Sequence, residues 1–212
     1  MKSSTQRASR ALVAEGIWLD GRLALFHEHE RWLAVADLHF GYELSQREAG
    51  NLFPMWGMQT LEERLRDLLG DYGPVRLVLL GDLVHNRAGE KVFAQLLERL
   101  HNHCEIVLIA GNHDRYMRGF DLVETWSSDG FVFHHGHCES PKTKQIQIVG
   151  HHHPATVMRD GAGLRLKLPA FVQQERCWIM PAFSPWAAGT EWTVEEGSRI
   201  WACSPQRVMC VS

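Results

Sequence analysis

Seven histidines, three aspartates and one asparagine gather into five short blocks along this chain. They are Asp37-Leu38-His39, Gly81-Asp82, Gly111-Asn112-His113-Asp114, His135-Gly136-His137 and Gly150-His151-His152-His153. Their chemistry is that of a divalent-metal site. Hydrolytic metals take mixed oxygen and imidazole ligands and leave positions open for water and substrate. Asp37 and His39 stand two apart where a strand ends, so their side chains can point the same way and offer one oxygen and one nitrogen. Asp82 is a carboxylate, able to bridge two cations through its two oxygens. Asn112 offers an amide oxygen without adding charge. His135, His151 and His153 bring the count to two sets of ligands, and the last two again stand two apart. A lone Asp-x-His or Gly-Asp is as easily a helix or turn cap. Five blocks in order, nearly all after apolar runs, are hard to read that way.

Positioning such ligands takes strands that end at a common rim. Leu33–Ala36 reads as a buried strand ending at Asp37, Val75–Leu80 as one ending at Gly81-Asp82, and Ile106–Ala110 as one ending at Gly111-Asn112. Between them, Thr60–Leu69 carries Leu61, Leu65, Leu68 and Leu69 on one helical face, with Gly70 and Gly73-Pro74 as stops. Gly89–His101 reads as a second amphipathic helix. Residues 44–57 are broken by Gly50, Pro54 and Gly57 and predict no long helix. This β-α-β-α-β order argues for a largely parallel sheet, whose ligand sites lie at the carboxyl ends of the strands. Upstream, Asp20-Gly21 predicts a hairpin turn. After residue 130 the texture changes to short strands: Phe131–Phe133, Gln145–Val149, Leu164–Leu168, Cys177–Met180 and Ile200–Cys203. Gln147, Arg165 and Lys167 alternate with apolar residues, as in a half-exposed antiparallel strand. The second half therefore predicts a second sheet packed on the first, within a single domain spanning residues 1–212.

The bulk properties agree. A chain of 212 residues, 45% hydrophobic and 22% charged, suits a globular protein with a real core. A net charge of −3 gives no strong basic field for nucleic acid or anionic lipid. The five cysteines form no CxxC pair and read as free thiols of a reducing compartment. Met1–Arg10 is polar, with no apolar stretch behind it to make a signal peptide. No apolar run could span a membrane, so a cytoplasmic location is expected. Seven of the 13 histidines sit inside the five blocks, so their excess is not scattered.

On these blocks the chain resembles the calcineurin-like metallophosphoesterases, whose pattern is DxH…GD…GNH[D/E]…H…GHxH; every ligand position is present. The resemblance implies an α/β fold, a four-layer αββα sandwich of two mixed β-sheets flanked by helices. It implies one metal held by Asp37, His39, Asp82 and His153, and another held by Asp82, Asn112, His135 and His151. It makes His113 a catalytic residue that binds no metal, stabilising the phosphoryl oxygens or protonating the leaving oxygen, with Asp114 orienting its ring. His137, His85 and Arg115 lie beside these blocks, within reach of a ligand or of the substrate, or simply exposed on loops. Manganese is the natural choice for the two divalent ions, with iron or zinc close behind.

Beyond the metal blocks, Val35-Ala36-Asp37-Leu38-His39-Phe40-Gly41, Leu80-Gly81-Asp82-Leu83-Val84-His85 and Gly150-His151-His152-His153-Pro154-Ala155 are similar to the ICC-like branch of that family. So are Leu166-Lys167-Leu168-Pro169-Ala170-Phe171, Met180-Pro181-Ala182-Phe183 and Ala188-Gly189. That branch includes a ligase-associated DNA damage response endonuclease. It implies a nuclease or phosphodiesterase of DNA repair, with DNA and a ligase system as partners and phosphomonoesters as a further option. Two alternatives stand beside it. One is a phosphodiesterase of small molecules or cyclic nucleotides; the other is an inactive fold used as an interaction module, against which the intact ligand set argues. The mild net charge weighs against DNA, while Arg159, Arg165 and Lys167 offer either a small basic strip or a plain solvated strand face. The eight tryptophans read mostly as core or surface anchors, with Trp186 and Trp192 as candidates to stack on a base.

Overall fold

The computed structural model describes residues 9–212; most of the basic Met1–Arg10 segment lies outside them. The chain opens with β1 (Arg10–Ala14), β2 (Ile17–Asp20), β3 (Ala24–His27) and β4 (Trp32–Ala36). These pair as consecutive antiparallel neighbours. The turn expected at Asp20-Gly21 joins β2 to β3, and Leu23 N–H closes it on the Asp20 carbonyl at 2.9 Å. Two helices follow, α1 (Tyr42–Glu48) and α2 (Gly57–Tyr72). Then come β5 (Arg76–Leu80), α3 (Glu90–Leu100), β6 (Glu105–Ile109) and β7 (Leu122–Val123). From β4 onward the neighbours are parallel, so the first sheet, in order β1 to β7, is mixed.

The helices follow the leucine spacing. Leu61, Leu65, Leu68 and Leu69 of α2 are buried, as are Phe93, Leu96, Leu97 and Leu100 of α3. Gly70 does not stop α2. The helix continues to Tyr72, because Gly70 sits on an open side with nothing near it, and ends at Gly73, whose φ of +49° is the left-handed cap. The seven-residue α1 was not expected, since its burial follows no helical period.

The second half supplies β8 (Thr125–Ser128), β9 (Phe131–His134), β10 (Ile146–Val149), β11 (Pro154–Arg159), β12 (Arg165–Gln173) and β13 (Cys177–Ile179). It ends with β14 (Thr190–Glu191), β15 (Arg199–Ser204) and β16 (Arg207–Cys210). The second sheet runs β14-β11-β12-β13-β10-β9-β8, with β15 on β12 and β16 on β15. It too is mixed, with β9, β10 and β13 parallel to one another.

The sheets face each other across the core. Trp32 of β4 meets Phe131 and Phe133 of β9 at 5.7 and 5.0 Å between ring centroids. Alternation along each strand divides the second sheet between two clusters. Ile148, Phe171 and Trp178 point to the shared core, while Val149, Ala170, Val172, Ile179 and Ile200 form a second cluster. Among the described residues the α-helices all come from residues 42–100, in the crossovers of the first sheet, and Cys177 and Trp192 pack against the second cluster.

One expectation needs correcting. β12 is longer than predicted and pairs with β11 in a hairpin whose outer part is open on both faces. Leu166 is as exposed as Arg165 and Lys167, so the alternation there does not report a buried side.

Candidate metal centre

Each of the five blocks begins within two residues of a strand end. Asp37 follows β4, Gly81-Asp82 follows β5, Gly111-Asn112 follows β6, His135 follows β9 and Gly150-His151 follows β10. The strands deliver the blocks, but the backbone turns aim the side chains. Seven non-glycine residues among those described have positive φ, and five of them are block residues. They are Asp37 (54°), His39 (44°), Asp82 (44°), His151 (67°) and His153 (45°). This left-handed conformation costs on the order of 1–3 kcal/mol for each such residue. Convergence of the i, i+2 pairs therefore comes from left-handed turns past the strand ends, not from the alternation of a continuing strand.

The turns bring the side chains together. His135 Nε2 lies 3.0 Å and His153 Nε2 3.3 Å from Asp37 Oδ1. Asp82 Oδ2 faces His135 Nε2 at 3.7 Å, His39 Nε2 at 3.8 Å and His113 Nε2 at 4.0 Å. His39 and His153 bring their Nε2 atoms within 3.4 Å of each other. Two groups have ligand atoms mutually within 4.8 Å: Asp37, His39, Asp82 and His153, and Asp82, His135 and His151. Asp82 is common to both. A third group, His39, His85 and His113, shares His39. The backbones must approach closely for this. A Cβ on Gly111 would fall 2.1 Å from Asp82 N and 2.4 Å from Asp82 Oδ1.

These residues fit a pair of divalent cations. Imidazole nitrogens and carboxylate oxygens crowd one spot that is largely buried. Asn112 Oδ1 and His39 Nδ1 are buried without a hydrogen-bond partner, a costly state for polar atoms unless something else satisfies them. Asn112 stands directly beyond the loop glycine that approaches Asp82.

The charges fit at Asp37, His39 and His151, while Asp37 holds His153 toward its protonated form. Burial would raise the Asp37 carboxyl, but hydrogen bonds with His135 and His153 outweigh it and bring it down to about 2. Burial pushes His39 down to about 4 against the pull of Asp82 and Asp37. Burial, then the neighbouring His135, lowers His151. For His153, burial is outweighed by the Asp37 hydrogen bond, and its pKa rises. A carboxylate anion and neutral imidazoles are the forms that bind metal.

The remaining sequence candidates take distinct places. His137 is exposed, and its Nδ1 hydrogen-bonds His135 Nδ1 at 3.1 Å, leaving His135 Nε2 for the cluster. His113 N–H donates to Asp82 Oδ1 at 3.0 Å, and its ring Nδ1 lies 2.9 Å from the His85 carbonyl oxygen. The expected contact between Asp114 and the His113 ring is absent among the described hydrogen bonds. The Asp114 carboxylate instead accepts from the main-chain N–H groups of Leu83, Val84 and Gly111 at 2.9, 3.2 and 2.8 Å. It is buried and turned inward, and burial raises it to about 6. His85 stacks on His113 at 5.4 Å and 28°. Arg115 is exposed and folds onto its own loop, donating Nε–H to the Asn112 carbonyl at 3.2 Å.

A cavity of about 180 Å³ opens on this cluster, lined by His39, His85, His113, His153, Tyr42 and Trp186 among others. Trp186 stacks near Tyr42 at 6.1 Å and also meets Phe53 and Trp56. Of the two tryptophans singled out in the sequence, Trp186 thus lines the site. Trp192 packs on the second cluster beside His152. Sequence reasoning missed Tyr42 and Ser184. Ser184 N–H donates to the Asp37 carbonyl at 3.1 Å; the Phe183-Ser184-Pro185-Trp186 run that carries it held no metal-ligand signal.

A family model described as calcineurin-like phosphoesterase matches residues 31–172. No curated protein matches the chain. Among solved structures, the Pseudomonas putida nuclease MPE is 28% identical with a TM-score of 0.76, over 96% of this chain and 100% of that one. Yfce, a phosphoesterase from E. coli, is 14% identical with a TM-score of 0.46, over 85% of this chain and 96% of that one.

Proposed function

The chain belongs to the calcineurin-like phosphoesterase family, and from that premise we propose that it is a nuclease or phosphodiesterase acting on DNA. At the coarser level it is a metal-dependent phosphoesterase. The observation that carries the reading is the Asp82 carboxylate, common to two ligand groups at the carboxyl ends of the parallel strands of the first sheet. One cation is assigned to Asp37, His39, Asp82 and His153, and the other to Asp82, Asn112, His135 and His151. Manganese suits this oxygen and nitrogen set, and iron or zinc fit nearly as well. When bound, such a pair withdraws charge from phosphoryl oxygens and makes water a stronger acid.

The chain's own residues do the rest. Donation of His113 Nδ1–H to the His85 carbonyl fixes the ring and turns Nε2 toward Asp82. His113 is half-buried beside the cavity, where its imidazolium form, with a proton on each nitrogen, can donate Nε2–H to a phosphoryl oxygen or hand that proton to the leaving oxygen. Tyr42 and Trp186 offer aromatic faces beside that point. Asp114 holds the loops that carry Asp82 and Asn112. Likeness to a nuclease over almost the whole chain supports a nucleic-acid substrate.

The test is hydrolysis by the manganese-loaded protein of single- and double-stranded DNA, set against cyclic nucleotides. Cleavage of cyclic nucleotides alone would move the reading to a small-molecule phosphodiesterase. A repair role beside a ligase follows from the branch resemblance, and co-purification with a ligase would support it. No helix among the described residues is long and apolar enough to cross a membrane. The five unpaired cysteines support a cytoplasmic location.

A further inference from the structure

A second cavity, of about 380 Å³, adjoins the first and shares His153, Ser184 and Ala187 with it. Three cations line it: Arg22, Arg64 and Lys167. Arg22 is neutralised by Asp20 and Asp71 at 2.8 and 2.7 Å. Arg64 and Lys167 form no ion pair among the described residues. The Arg64 guanidinium donates from Nη1 to the Phe183 carbonyl at 2.9 Å and lies 4.8 Å from the centre of the Phe183 ring. Lys167 donates Nζ–H to the Gly189 carbonyl at 2.7 Å. Burial opposes the charge on Arg64, so a half-buried cation stands in a cavity without an anion of its own. Such a group is costly unless an anion arrives to pair with it. A guanidinium fork and an ammonium are the usual partners of a phosphate group.

The place is as telling as the charge. Phe183 N–H donates to the Ala36 carbonyl at 2.7 Å, and Ser184 N–H to that of Asp37. The segment that Arg64 grips is thus hydrogen-bonded to the backbone of a candidate metal ligand. The two cavities share a wall, with His153, Ser184 and Ala187 bordering both.

We propose that this cavity is a second phosphate subsite: Arg64 and Lys167 hold a phosphate of the same strand next to the ester being cleaved. The substrate class is then an oligonucleotide carrying at least two phosphates, preferred over an ester with one. This rests on the phosphodiesterase reading above.

Two measurements keep the proposals separable. The first is kinetic, on the manganese-loaded full chain with the thymidine dinucleotides TpT, pTpT and TpTp. The wild type is expected to show a KM about tenfold lower for one phosphorylated form than for TpT, the scale of one charge-assisted hydrogen bond. Arg64→Gln and Lys167→Gln should each shrink that ratio toward one. Equal KM values for all three in the wild type, or a ratio preserved in both variants, would overturn the subsite. Lys167 lies on an exposed strand, so its variant carries the test if Arg64→Gln fails to fold. The second is a tungstate soak of crystals of the full chain. Anomalous density between Arg64 and Lys167 supports the subsite even if no dinucleotide is cleaved, in which case the phosphodiesterase reading alone falls. Density only at the histidine cluster, or none, overturns the subsite whatever the kinetics of other substrates.

Discussion

His113 Nδ1 lies 2.9 Å from the carbonyl oxygen of His85, and this bond sets the direction of the His113 ring. A backbone carbonyl accepts but never donates, so the tautomer with the proton on Nδ1 is selected and Nε2 is left to face Asp82 and the cavity. The ring is oriented by a group that no side-chain substitution removes.

The first prediction concerns this ring. His113 belongs to neither of the two groups that share Asp82. His113→Ala should therefore keep the metal content of the wild type and lose about 10²–10⁴-fold in kcat. Metal analysis alongside a rate assay checks it. A kcat within a few-fold of wild type would take His113 out of the chemistry; lost metal would make it a ligand.

Asp114 should behave differently. Its carboxylate satisfies three buried main-chain N–H groups, on both the Leu83-Val84 and the Gly111 loops. Asp114→Ala strands those donors, and each buried unsatisfied group costs about 1–3 kcal/mol. A loss of roughly 3 kcal/mol or more in denaturant unfolding is expected, with Asp114→Asn intermediate. If Asp114→Ala instead unfolds like the wild type and only its rate falls, the residue acts on the reaction rather than on the loops.

Much of this was legible in the sequence, for stateable reasons. β4 and the C-terminal ends of β5 and β6 are buried on both faces, so each reads as an apolar run whose end marks a block. Helices α2 and α3 announced themselves through apolar spacing, although Gly70 proved harmless where nothing crowds it. The division of ligands came with the resemblance. What stayed hidden was either backbone conformation or long-range contact. Nothing in a sequence marks Asp37, His39 and Asp82 as left-handed. Arg64 meets Phe183 across 119 positions, and no local pattern joins them. The β11–β12 hairpin misled because exposed Leu166 imitates a buried face. Asp114 differs from what the resemblance implied, because its carboxylate is taken up by main-chain N–H groups rather than by the His113 ring.

The ligand assignment predicts a graded metal content. The wild type should hold about two divalent ions per chain, as two-metal hydrolases do. Asp82→Ala, which removes the carboxylate common to both groups, should leave essentially none, whereas Asn112→Ala should leave about one. Elemental analysis after dialysis against trace metal checks both. Retention of both ions by Asp82→Ala would refute a bridging role for that carboxylate.

The positive φ values predict an inversion. At most positions alanine is more stable than glycine, because glycine loses more backbone freedom on folding. His153 has φ of 45°, where a Cβ is strained and glycine is not. With metal removed by a chelator, His153→Gly should therefore be more stable than His153→Ala by about 1 kcal/mol. The comparison holds the lost imidazole constant and reads the backbone alone. Alanine equal to or better than glycine in chemical denaturation would mean that the turn is relaxed.

Gly111 offers the sharpest steric test. A methyl group there would meet Asp82 N at 2.1 Å and Asp82 Oδ1 at 2.4 Å, too close for either to stay. Backbone nitrogen cannot swing aside as a side-chain tip can. The loop must shift, and Asp82 and His113 shift with it, because His113 N–H is bound to that same Oδ1. Displacing a catalytic group by about 1 Å can cost on the order of 10²-fold in rate. Gly111→Ala should accordingly lose both metal affinity and turnover by at least that factor, while helix and sheet content by circular dichroism stay near those of the wild type. Because Gly111 makes its close contact with Asp82 rather than with substrate, the loss should be the same for every phosphodiester tried. A loss confined to DNA would place the disturbance in substrate binding instead.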